Sequence, residues 1–215
     1  MSGLRLASKL QIGGKHTINT DTVGGDHVKK EIVWPHGHQA AAMICIMLDA
    51  EFIWLGMDPE KYDTPKHRSM GEYGPRRGIN RILEALDRFQ VKATFFAPGI
   101  FAETYPEQLK EIAEAGHEIA LHGYRHEDFG GLSKEQQQSA LNQGAKAIEQ
   151  TIGRMPVGFR LPEGGCTEET LTLIQQAGFL YDNSFFDHDI PYRIPGSGAY
   201  ADMIEIPTRW ELIDF

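Results

Sequence analysis

Cysteine is nearly absent: only Cys45 and Cys166 occur in 215 residues. One lies in an apolar run and the other in a glycine-rich turn, so they form no disulfide framework and read as two free thiols. Basic charge is short as well. Lys and Arg number 21 against 30 Asp and Glu, giving a formal charge of −9 and a pI near 5.5. That balance counts against the basic face that phosphate-backbone binding needs, so no nucleic-acid partner is expected. No stretch approaches the ~20 apolar residues of a membrane span, and the opening MSGLRLASKLQIGGKH carries no apolar signal-peptide core. The expected address is cytoplasmic, with no membrane partner. Neither GxGxxG nor GxxxxGK[ST] follows the first apolar run, which counts against a nucleotide-binding fold.

What is present is an ordinary globular composition, 41% hydrophobic and 24% charged. At this length one domain is the default, and it buries roughly 70% of the surface its unfolded chain would expose. Residues 1–32 carry Gly13, Gly14, Gly24 and Gly25 among Thr, Asn and Asp with little hydrophobic periodicity, and read as an arm or loop. The domain proper spans 33–215. Ala40 to Leu48 (AAAMICIML) is a continuous apolar run ending in an acid, as expected of a buried parallel strand. After a polar, Pro-bearing stretch, GINRILEALDRFQ repeats apolar residues at helical spacing.

Strand and helix then alternate: VKATFFA, a helix opened by Pro106, HEIALHG, a long helix with a Ser133/Gln136 capping box and a stop at Gly153, VGFRLP, a helix from Thr167 to Gly178, FLYDNS and MIEIPTRW. Such β-then-α steps imply an α/β fold with a parallel sheet and outer helices, either a barrel or an open doubly wound sheet; a barrel is favoured.

The sharpest chemical signal is His122-Gly-Tyr-Arg-His126 just past a strand, because imidazoles four apart in a helical turn can aim at one ion. Asp49 ends the first strand, and parallel strands deliver their C-terminal ends to one face. Two His and one carboxylate suit a divalent metal, Zn first and Co, Fe or Mn as alternatives, and leave coordination positions open.

The segments WPHGHQAAAMICIMLDAE, HGYRH, FRLPEGG, YDNS with HDIPYR, and EIPTRW run in order from Trp34 to Trp210 and resemble successive motifs of the polysaccharide deacetylase superfamily. The pattern is closest to its cytoplasmic peptidoglycan-deacetylase-like and imidase-like branch. The resemblance implies a distorted or incomplete (β/α) barrel, a divalent metal on Asp49, His122 and His126, and hydrolysis of an N-acetyl or related amide in a small-molecule or glycan substrate. It implies that Arg160 steadies a catalytic carboxylate and that Pro162 helps form a wall of the site. Asp189 and Tyr192 match a further family segment, and Trp54, Tyr124 and Trp210 are candidate walls for a ring-shaped substrate.

Met47 departs from the pattern, since the family usually has an Asp there as general base. Either Glu51, Glu163 or Asp189 replaces that base, or none is used, or the chain binds without turnover. Arg160 is then expected to pair with Glu51 or Glu163. The family also continues past the position of Phe215, so the barrel is expected to be short at its C-terminus, left open or completed by another subunit, with a homo-oligomer as one outcome. A cyclic-amide hydrolase and an inactive binding homologue stand as alternatives to a deacetylase.

Overall fold

The computed structural model describes residues 34–162, 165–194 and 203–213. The expected arm at 1–32 and the candidate Glu163 lie outside them. The chain divides into a unit Met1–Met43, whose described part holds one 3-10 turn at Pro35–Gly37, and a unit Ile44–Phe215.

In the second unit the strands are β1 Cys45–Met47, β2 Thr94–Ala97, β3 Glu118–Leu121, β4 Gly158–Phe159, β5 Tyr181–Asp182, β6 Tyr192–Arg193 and β7 Ile204–Glu205. The helices are α1 Phe52–Met57, α2 Pro59–Tyr62, α3 Pro65–Gly71, α4 Ile79–Arg88, α5 Gly99–Thr104, α6 Pro106–Glu114, α7 Lys134–Ile152 and α8 Glu168–Gln176. The sheet runs β1-β2-β3-β4-β5-β7-β6, parallel apart from the β6–β7 pair. Among the described residues it is open, with β1 and β6 at its edges. It is nevertheless curled. Cys45 Sγ of β1 lies 3.6 Å from Asn183 Oδ1, just past β5, whereas strands four places apart in a flat sheet would stand about 19 Å from each other. An incomplete barrel is the architecture observed.

Local sequence explains most helix ends. Ser133 and Gln136 form the expected capping box on α7, and Gly153 ends it in the left-handed conformation. Thr167 caps α8, and Pro106 occupies the first turn of α6. One expectation needs correction. The strand expected over Ala40–Leu48 is only three residues long, because among the described residues β1 is an edge paired with β2 alone, and Met43 and Ile44 are exposed. The polar, Pro-bearing stretch after Met57 forms short helices: Asp58 and Thr64 cap α2 and α3 with their side chains, each followed by Pro.

The sheet has two distinct faces, set by the two-residue period of strands. Phe95, Ile119, Leu121 and Phe159 join the core with Phe101, Leu109, Ile112, Leu141 and Ile148 from the helices. The alternate positions point inward and are mixed: Phe96 and Ala120 lie beside polar groups such as the Thr94 hydroxyl, which donates to Glu118 at 2.8 Å. Helix α7 comes unusually close to the loop after β3. A Cβ on Gly144 would stand 2.7 Å from the Gly123 carbonyl oxygen and 2.7 Å from Leu121 Cδ1, so Gly144→Ala should displace backbone at a cost of about 1–3 kcal/mol. Thermal melting of the variant should show a Tm several degrees lower; an unchanged Tm would mean that α7 is not seated on this loop.

Candidate active site

Asp49 follows β1, His122 follows β3 and Arg160 follows β4, so the parallel register brings all three to the C-terminal edge of the sheet. His122 N–H donates to the Ala97 carbonyl at 2.9 Å, and Arg160 N–H to the Leu121 carbonyl at 3.0 Å. These bonds continue the ladder one step beyond the strands. The segment 122–126 is not a helical turn, contrary to expectation. Gly123 (φ 70°) and His126 (φ 64°) are both left-handed, and the carbonyls of Gly123 and Tyr124 are taken by Gly99 and Ile100 N–H at 3.0 and 2.8 Å. Those oxygens are spent on α5 and cannot build a helix. Ala50, beside Asp49, is also left-handed at φ 47°; such outliers cluster where function demands them.

The loop nonetheless presents two imidazoles to one carboxylate. His122 Nε2 lies 3.5 Å from Asp49 Oδ1 and His126 Nε2 lies 3.8 Å from Asp49 Oδ2. The three donor atoms fall within 4.8 Å of one another. Two ligands each ~2.1 Å from one tetrahedral ion lie about 3.4 Å apart, so the spacing fits a metal better than a hydrogen bond. The donors are chemically ready too. His122 Nδ1 is 2.8 Å from the Arg160 carbonyl oxygen, which can only accept, so Nδ1 carries the proton and Nε2 keeps its lone pair. Burial holds His122 well below the ordinary imidazole range, with neighbouring His126 adding to the effect; burial likewise lowers His126 to about 4. Both rings are neutral at pH 7. Their side chains are 4% and 3% exposed against 18% for Asp49, so the triad opens to solvent on the carboxylate side.

A family model described as polysaccharide deacetylase matches residues 71–181. The chain belongs to the polysaccharide deacetylase family. A peptidoglycan deacetylase-like protein from Gibberella zeae is 36% identical over 165 residues, 76% of this chain and 49% of its own. A crystal structure from Mycobacterium smegmatis assigned to the polysaccharide deacetylases superposes with TM-score 0.77 at 39% identity, covering 84% of this chain and 62% of that one. The crystal structure of PuuE allantoinase superposes with TM-score 0.62 at 30% identity, covering 67% and 47%. The chain spans about half to two-thirds of the length of the curated relatives it matches, 49% and 64% for the first two.

Within this polysaccharide deacetylase framework the other candidate residues divide. Arg160 is buried, and its Nη1 donates to the Asn183 carbonyl at 2.8 Å, to Asn183 Oδ1 at 2.9 Å and to Thr208 Oγ1 at 3.4 Å. The expected ion pair with Glu51 is not formed. Glu51, at the entry to α1, instead receives the Tyr105 hydroxyl at 2.9 and 3.0 Å from its two oxygens. Pro162 is buried against Gly123. Tyr124 is turned away from the triad: its ring lies over Gly99, and its hydroxyl donates to Glu103 at 3.2 Å. Asp189 is exposed and pairs with Arg209, and the Tyr192 hydroxyl donates to Asp187 at 2.7 Å. Trp54 packs against His67 with ring centroids 5.8 Å apart. Exposed Trp210 sets its edge on Phe186, whose ring lies 5.9 Å from the Arg160 guanidinium.

Sequence reasoning missed Tyr105, Asn183 and Phe186. Asn183 lies inside the YDNS segment, so its position was marked but not its role. Tyr105 and Phe186 carried no local signal, because each acts through a partner distant in sequence.

The Tyr105 hydroxyl is the only hydrogen-bond donor to the Glu51 carboxylate shown among the described residues, and both groups lie between α1 and the α5–α6 corner. Tyr105→Phe should therefore leave a buried carboxylate short of its donor, costing about 1–3 kcal/mol. Glu51→Gln, which keeps an acceptor for Tyr105, should cost less. Chemical denaturation reads the difference; equal losses in the two variants would show that this bond does not anchor α1.

Proposed function

We propose that the chain is a divalent-metal-dependent hydrolase that removes the acetyl group from an N-acetylated sugar, with a peptidoglycan-type glycan as the substrate class. The observation that carries this reading is the convergence of Asp49, His122 and His126 at the sheet edge with both imidazole lone pairs free to ligate. Zn suits a carboxylate and two imidazoles, and Co, Fe or Mn could take the same donors. When bound, such an ion would polarise the amide carbonyl and bring the pKa of water toward ~7.

The protein's own residues do the rest. His122 and His126 are held neutral, so they offer lone pairs rather than protons. Asp49 leaves the substrate side open. Arg160, held in place by Asn183, adds a buried positive charge whose field reaches Asp49. Exposed Phe186 and Trp210 supply an apolar rim against which a pyranose ring can rest, with buried Pro162 packed on Gly123 beneath the loop. Of the carboxylates proposed to replace the usual base, Glu51 is engaged by Tyr105 and Asp189 by Arg209, so neither is poised to take a proton at the triad. Met47 cannot take a proton, which leaves Glu163, outside the described residues, as the remaining candidate; without an acid at position 47 turnover should be slow.

A second reading, a cyclic-amide hydrolase acting on a small soluble substrate, draws support from the likeness to PuuE allantoinase. The same donor set would serve either amide. Acetate release from N-acetylglucosamine oligomers and from peptidoglycan fragments, set against opening of cyclic ureides, separates the two: turnover of ureides alone would overturn the deacetylase reading.

Met47→Asp is the variant that bears most on mechanism. By the period of two, Cys45, Met47 and Asp49 fall on one side of β1 and its extension, and the field of the Arg160 charge reaches both Cys45 and Asp49. An acid at position 47 would thus lie between two groups already within the reach of a buried cation, which offsets the penalty of burying it. Restored general-base help should raise kcat by about 10²–10⁴. Unchanged turnover in a variant that stays folded and metal-loaded would refute the assignment of position 47.

A further inference from the structure

Behind the site, on the reverse face of the sheet, two carboxyl groups are fully buried side by side. Asp182 of β5 and Glu205 of β7 are partners in the parallel register, and both are 0% exposed. Each has one oxygen that is well served. Asp182 Oδ1 accepts from the Ser184 hydroxyl at 2.6 Å, and Glu205 Oε1 accepts from Phe185 N–H at 3.0 Å. The second oxygens, Asp182 Oδ2 and Glu205 Oε2, have no other partner among the described residues, and the two carboxyls contact each other. Two ionised carboxylates cannot share such a place. One proton between them turns the repulsion into a short charge-assisted hydrogen bond and satisfies both remaining oxygens.

We infer that Asp182 and Glu205 share a single proton at neutral pH, and that this pair positions the Arg160–Pro162 segment. The coupling runs through Ser184, whose oxygen donates to Asp182 and accepts from Leu161 N–H at 2.9 Å. Leu161 follows Arg160, whose carbonyl orients His122. On the opposite face Asn183, between Asp182 and Ser184, holds the Arg160 guanidinium. One tripeptide thus fixes Arg160 and its neighbour from both sides of the sheet.

The electrostatic surroundings agree. Burial, then the charge of Asp182, pushes Glu205 up to about 10, and burial raises Asp182. The other ionisable groups that feel the pair are Arg160 at the end of β4, Cys166 before α8, and Asp187 and Tyr192 around β6. Arg160 is the one cation among them, and it is engaged by Asn183.

The sign of the pH dependence follows. The unfolded chain gives up the Glu205 proton near the ordinary glutamate value, while the fold keeps it, so this group's contribution is fully present at low pH and is lost as pH rises toward the folded value. Gln at position 205 carries a donor to Asp182 and an acceptor for Phe185 at every pH. Melting of the wild type and Glu205→Gln between pH 5 and 9 should therefore show the variant gaining on the wild type by roughly 3–5 °C per pH unit. Parallel curves would overturn the shared proton.

The positioning role is read by amide exchange: Glu205→Ala should lose protection at Leu161 and Phe185, and Glu205→Gln should keep it. Exchange at Leu161 unchanged in a folded Glu205→Ala would refute that role. If either variant fails to fold, the infrared spectrum of the wild type at pH 7 decides the proton, since a protonated-carboxyl C=O band must be present, and its absence would sink the inference. None of these readouts depends on bound metal, so they stand apart from the proposed activity.

Discussion

The hydrogen bond from His122 Nδ1 to the Arg160 carbonyl, 2.8 Å long, is the constraint from which the site follows. It fixes the tautomer, since a carbonyl can only accept, and thereby decides which nitrogen meets Asp49. It also requires β3 and β4 to end at matching heights, which the ladder bonds Arg160 N–H to Leu121 and His122 N–H to Ala97 secure. The second imidazole arrives by a different route. His126 adopts a left-handed backbone, and a Cβ on Gly56 would stand 2.6 Å from its carbonyl oxygen, so α1 comes down directly onto the turn. A residue with a side chain at Gly56 would push the turn off the Asp49 carboxylate.

The two faces of the curled sheet divide the labour. The outward positions of β2, β3 and β4 make an apolar core with α5, α6 and α7, which is where the burial free energy resides. The inward positions mix apolar residues such as Phe96 and Ala120 with polar groups, and Cys45 and Asn183 link β1 to β5 across that face. Near the site the same alternation places Asn183 on the Arg160 side and Asp182 with Ser184 on the other. A single strand end therefore braces Arg160 while handing the rear of the sheet a buried acid pair.

Much of this was legible in the sequence wherever the signal is local. Capping residues, the apolar runs of β2 and β3, and the stops at Gly153 and Gly178 are near-neighbour chemistry, and they recur in the structure. Asp49 and His122 could be placed together because parallel strands end on one face, an inference from topology rather than from spacing. The HGYRH turn was misread as helical, since four-residue spacing also arises when glycine reverses the chain and α5 captures its carbonyls. Partners distant in sequence were not legible at all. Glu51 was expected at Arg160 but is held by Tyr105, 54 residues away, and nothing near Tyr124 reveals that its ring turns to Gly99. The Asp182–Glu205 pair is invisible for the same reason: each acid alone resembles a surface residue, and only the β5–β7 register makes them a pair.

The central claim is that Asp49, His122 and His126 hold one divalent ion. Its most direct test is an anomalous difference map from crystals grown with zinc or cobalt and measured on either side of the metal's absorption edge. The account predicts a single strong peak bounded by an Asp49 carboxylate oxygen and the Nε2 atoms of His122 and His126. A map with no peak there, or with the metal on other residues while these three keep their present contacts, would contradict it.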